Sequence, residues 1–154
     1  MSKKKVKLGS PVFANPFLKK APVAASQAFK RRSGHFVYLA SNNVNIADSG
    51  TTELWGWALV GKDWTSSSTA GADKITVDRH PLHVWEVPAR DTFTASGLLA
   101  LIGDTMDLEI ASVIQYVDNG ESNEDTIVCV GGDVDEQTLY VHMNLNKLYQ
   151  TGQS

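Results

Sequence analysis

Cysteine is all but missing from this chain of 154 residues: Cys129 stands alone, so no internal disulfide and no cysteine cage for zinc can form. It lies in the apolar run Ile127-Val128-Cys129-Val130, where a thiol acts as a small hydrophobe. No apolar stretch reaches the roughly 18 residues that a membrane span requires. The basic start is followed by Pro11, Pro16 and Lys19-Lys20 in place of an unbroken hydrophobic region, so no cleaved leader is expected. The sequence also has no Asn-x-Ser/Thr site, no Gly-x-Ser-x-Gly elbow and no glycine loop for phosphate, since Gly131-Gly132 runs into Asp133, Asp135 and Glu136. These absences argue against a hydrolase or a nucleotide-binding enzyme, and no cofactor is expected.

Acidic residues are absent from one region altogether. The first 34 residues hold nine of the fourteen basic residues and none of the seventeen acidic ones. The basic set is Lys3, Lys4, Lys5, Lys7, Lys19, Lys20, Lys30, Arg31 and Arg32. A formal +9 therefore opposes −12 in the remainder, an asymmetry that points to an extended partner of complementary charge. Pro11, Pro16 and Pro22 favour extended backbone there. Phe13, Phe17, Leu18 and Phe29 punctuate the charges, as expected of a segment that orders on a partner. Residues 1–34 are thus read as an extended arm and 35–154 as one β-domain.

Within that domain, residues 35–40, 53–60, 74–78 and 82–87 read as strands, with Ile75 and Val77 inward and Trp85 and Val87 on one face. Residues 94–102 read as a short helix capped by Thr94 or Ser96 and stopped by Gly103. Residues 107–117 alternate as one long strand, and 125–130 with 138–145 form a hairpin around Gly131-Gly132-Asp133. The expected class is all-β, a compact barrel or sandwich with one short helix, and no internal repeat is evident.

His80 and His83 are three apart in extended chain and so should point to opposite faces, which disfavours a shared metal. The acids Glu121, Glu124, Asp125, Asp133, Asp135 and Glu136 lack the spacing of a calcium loop and read as a solvated rim at one end of the domain. Trp55 and Trp57 fall on one strand face, and with Trp85 they are candidates for a subunit contact.

Several segments carry a resemblance in order and texture. They are Trp55-Gly56-Trp57-Ala58-Leu59, then Val84-Trp85-Glu86-Val87-Pro88, then Leu98-Leu99-Ala100-Leu101-Ile102-Gly103-Asp104-Thr105-Met106-Asp107-Leu108, and finally Leu139-Tyr140-Val141-His142-Met143-Asn144. Over about residues 35–148 the chain resembles the small β-rich head decoration, or cement, proteins of tailed bacteriophages. The resemblance implies a non-enzymatic virion protein, made in the host cytoplasm, that binds the outside of the assembled head as a trimer or dimer and clamps neighbouring capsomers. The partner is then the major capsid protein, with Phe13, Phe17, Leu18, Phe29, Lys19, Lys20, Arg31 and Arg32 as the contact residues and no role for membrane. The arm is longer and more basic than in the smallest such proteins. It leaves a second expectation open, a coat protein whose arm holds the genome.

Overall fold

The structure, a computed structural model, describes residues 17–120 and 123–149. Phe13 and Lys3, Lys4, Lys5 and Lys7 lie outside these residues. The fold is all-β with one short helix. Its first five-stranded sheet contains β1 (Leu18–Pro22), β3 (Phe36–Ala40), β4 (Asn43–Ile46), β5 (Gly56–Ala58) and β7 (Lys74–Asp78), in the order β1-β7-β5-β3-β4. A two-stranded ribbon, β2 (Ala28–Phe29) with β6 (Trp64–Thr65), stands beside it. The second five-stranded sheet contains β8 (Trp85–Pro88), β9 (Thr105–Ala111), β10 (Ile114–Asp118), β11 (Ile127–Asp133) and β12 (Thr138–Met143), in the order β10-β9-β11-β12-β8.

These two sheets are the same unit built twice. Reading β8, β9, β10, β11 and β12 as counterparts of β1, β3, β4, β5 and β7 gives one strand order for both. Register agrees as well. Pro22 stands opposite Lys74 and Pro88 opposite Thr138, and the next residue of each makes a parallel bridge, Val23 to Val44 and Ala89 to Val117. Two hydrogen bonds beside each bridge match. The Val23 and Ala24 N–H groups donate to Asp73 O and Val44 O (both 2.9 Å), while those of Ala89 and Arg90 donate to Gln137 O (3.0 Å) and Val117 O (2.8 Å). Across the middle of each sheet, Phe36–Trp57–Asp78 corresponds to Thr105–Val128–His142. Each sheet curls on its own interior until its outer strands meet at that single bridge, without closing into a barrel.

The expectation of no repeat is therefore corrected. Only four aligned strand positions are identical, Pro22/Pro88, Leu39/Leu108, Val44/Val117 and Val77/Val141. Burial constrains size and polarity at the rest, so Ala21, Val37, Ala58 and Ile75 in one interior become Val87, Met106, Cys129 and Leu139 in the other. The connections differ too: the β1–β3 link carries β2, whereas the β8–β9 link carries α1 (Ala95–Leu101). That helix starts where expected, the Thr94 hydroxyl accepting from Gly97 N–H (3.1 Å), and Gly103 at φ +92° ends it.

Residues 107–117 are likewise corrected, from one strand to a hairpin. Ala111 pairs with Ile114, and the two residues between, Ser112 and Val113, have φ of 50° and 63°. The matching hairpin of the first sheet turns through Ser41 (50°) and Asn42 (61°). Both are turns of the type that suits twisted strands. Serine and valine do not advertise one, because a β-branched residue is costly at positive φ. The β11–β12 hairpin is present as expected, but its turn follows Asp133, and Gly131 and Gly132 lie within β11 beside a bulge.

The arm boundary moves most. Residues 18–34 belong to the first unit: β1 pairs with β7 along its length, and Phe29 is fully buried. Proline at the end of β1 and two consecutive exposed lysines disguised an ordinary edge strand.

The two units join where Phe36, Ala47, Leu54 and Trp57 of the first enter one continuous apolar cluster with the interior of the second. Gln115, fully buried, completes the joint. Its Oε1 accepts from Phe36 N–H (2.9 Å), and its Nε2 donates to Phe36 O (2.9 Å) and Ala47 O (2.8 Å). Its backbone accepts from Gly34 N–H (3.0 Å) and donates to Ser33 Oγ (2.7 Å).

Candidate interaction surface

Strand β1 is the outer strand of the first sheet, and its register fixes what it presents. Arg79 N–H donates to Phe17 O and Val23 N–H to Asp73 O (both 2.9 Å), so alternate residues from 17 to 23 bond toward β7. The backbone groups of Leu18 and Lys20 face the other way. Leu18, Lys19 and Lys20 are exposed, and so is Phe17, whose ring meets His80 edge-on at 4.5 Å. Four of the expected contact residues therefore share one edge.

Phe29 does not join them. It stacks on Trp64 (5.8 Å) and meets His35 edge-on (5.5 Å) inside the first unit, so its expected role as a capsid anchor is corrected to that of a core residue.

Arg31 and Arg32 are exposed on a separate, tightly held turn. Arg31 N–H donates to Asp63 Oδ1 (2.9 Å), Ser33 N–H to Lys30 O (3.2 Å), and His35 Nε2–H to Lys30 O (2.8 Å). His35 is buried, and burial pushes its pKa below the ordinary 6.5 despite its contacts with the Lys30 and Ala58 carbonyls. A depressed folded-state pKa means that the unfolded chain binds the proton first. This residue's contribution is complete above about 6.5 and is lost as the pH falls through the lower folded value. Urea midpoints should therefore drop on acidification below that point, and His35→Gln, which keeps a donor without titrating there, should flatten that part of the profile. An unchanged slope would rule out His35 as its source.

Trp55 and Trp57 are corrected as interface candidates, whereas Trp85 stays half-exposed. Trp55 and Trp57 are buried and belong to opposite interiors, because β5 begins only at Gly56. Trp55 lies under the Arg79 guanidinium (4.7 Å), and Trp57 stacks flat on half-buried Trp85 (4.6 Å) at the joint between units. They hold the chain to itself.

His80 and His83 are also rearranged. A turn at Pro81-Leu82 brings their rings into a stack at 4.2 Å, with His83 Nδ1–H donating to Asp78 Oδ2 (2.6 Å). Among the described residues no three His, Cys, Asp or Glu side chains are grouped to hold a metal ion. Nor do the acids form one rim. Asp133, Asp135 and Glu136 lie at the far end of seven-residue β11 from Glu124 and Asp125, roughly 20 Å away at strand rise. Asp107, buried, accepts from the Asn123, Glu124 and Asp125 N–H groups at 2.8–3.0 Å. Cys129 is buried, and burial raises its thiol pKa, which suits a packing role.

No protein-family model, curated protein or solved structure matches this chain. What sequence reasoning missed is the partition of charge between the two units. Residues 1–82 carry twelve basic and five acidic residues, a formal +7, and 83–154 carry two and twelve, a formal −10. The signal was present in the sequence but needed the repeat boundary to be read.

Proposed function

We propose that this chain is a non-enzymatic head decoration protein that binds the outer surface of an assembled phage capsid and bridges capsomers. The observation that carries the reading is the β1 edge, where exposed Phe17, Leu18, Lys19 and Lys20 continue the cationic, acid-free N-terminal segment. An outer strand with outward-facing backbone groups suits strand addition to a capsid subunit. Apolar side chains there give contact that salt does not screen, and the lysines add steering within a Debye length of about 8–10 Å. The order of segments that resembles cement proteins agrees with it. Many weak copies on one shell gain avidity through multivalency.

The test is occupancy on purified heads across a salt series. Phe17→Ala/Leu18→Ala should lose occupancy at every salt concentration, while Lys19→Gln/Lys20→Gln should lose it mainly at low salt. If both variants decorate normally and the wild-type protein instead co-purifies with nucleic acid, the coat-protein reading with a genome-binding arm takes its place.

A further inference from the structure

Between the two units runs a groove of about 470 Å³ whose walls carry opposite charge. Arg31, Arg32 and Ser33 of the first unit form one wall, and Glu86, Pro88, Glu136 and Thr138 of the second form the other. The four charged residues are all exposed, and among the described residues no ion pair joins them. Both walls stand on pinned backbone. Asp63 and His35 hold the arginine turn, and Asp133 Oδ1 accepts from the Asp135 (2.9 Å) and Glu136 (3.1 Å) N–H groups in the acidic one.

A surface of one sign repels its own copy. One with both signs side by side is self-complementary under a two-fold rotation, since residue i then meets j and j meets i. We propose that this groove is where two copies of the chain dimerise, with Arg31 and Arg32 of each facing Glu86 and Glu136 of the other. Over the described residues the first unit carries eight basic and five acidic residues (+3) and the second two and eleven (−9), which favours the same antiparallel arrangement, because each basic unit then lies against an acidic one. Nucleic acid is a poorer occupant, because Glu86 and Glu136 repel phosphate from the second wall. The inference sharpens the homo-oligomer expectation and needs no capsid, so it can fail or hold independently of the decoration reading.

Sedimentation velocity of the full chain tests it. The wild-type protein should dimerise at low salt and dissociate as salt is raised. Arg31→Glu/Arg32→Glu and Glu86→Lys/Glu136→Lys should each weaken self-association by roughly 100-fold or more, as expected when close charge pairs are turned repulsive. Mixed in equal amounts, the two variants should regain a dimer, because glutamates then face lysines at one end and arginines at the other. Circular dichroism checks that each variant is folded, and the neutral Glu86→Gln/Glu136→Gln, expected to weaken the dimer more mildly, serves if a reversal disturbs folding. A monomeric wild type, a variant that dimerises as well as wild type, a mixture that stays monomeric, or species that grow past the dimer would each overturn the proposal.

Discussion

Replacing Gln115 by leucine should destabilise the protein by about 2–6 kcal/mol, since it leaves Phe36 N–H and Ala47 O buried without their partner at about 1–3 kcal/mol each, while Phe36 O keeps the Ala47 N–H (2.9 Å). Leucine has a similar volume, so lost packing contributes little and the polar groups account for the change. Against a total of roughly 5–15 kcal/mol for a domain, that is enough to leave much of the protein unfolded. Urea unfolding measures it. A loss under about 1 kcal/mol would mean that the side chain is a passive filler and the apolar joint suffices. Glutamate should do no better, because its charge would be buried with two carbonyls where the amide had donated.

Phe29→Ala should cost about 3–5 kcal/mol, the range for emptying a buried aromatic site. The ring is fully enclosed and stacks on Trp64 across the β2–β6 ribbon. The effect should appear in the unfolding midpoint and not in the attachment of whatever fraction stays folded. Truncation gives the same distinction at larger scale. Removing residues 1–33 takes away β1, β2 and Phe29 and should unfold the first unit, whereas removing 1–16 leaves every described contact in place. If the shorter chain lacking 1–33 folded cooperatively and merely bound less, Phe29 would be an anchor after all.

The strands that announced themselves did so by alternation or by an apolar run between turn residues. Residues 74–78 placed Ile75 and Val77 inward, and 94–102 gave a helix with its cap and stop, because each signal is local. What stayed hidden depends on distant parts of the chain. Leu18-Lys19-Lys20-Ala21-Pro22 looks like a basic linker until Asp78 and Lys74 are placed opposite its ends. Ser112-Val113 looks like mid-strand until its positive φ is seen. The basic residues of the candidate surface were legible from charge alone. Their partition between an edge and a turn was not, nor was the acidic wall that faces Arg31 and Arg32 across the groove. Phe29 was misread because an aromatic residue among cations suits a partner surface and a core equally well until burial is known.

The pairing of β1 with β7 and of β8 with β12 joins the first strand of each unit to its last. During synthesis, neither curled sheet can be completed until its final strand has left the ribosome. Such non-local closure is slow by nature, in the range of milliseconds to seconds for all-β domains of this kind. The first unit can close once residue 78 emerges, yet Phe36 and Ala47 then wait for the side chain of Gln115, some forty residues behind. At roughly 5–20 residues per second, that interval lasts seconds. For that time the nascent chain carries a curled first sheet whose joint face is still bare and whose interior still lacks Tyr149, a stage at which a ribosome-bound chaperone would find its surface.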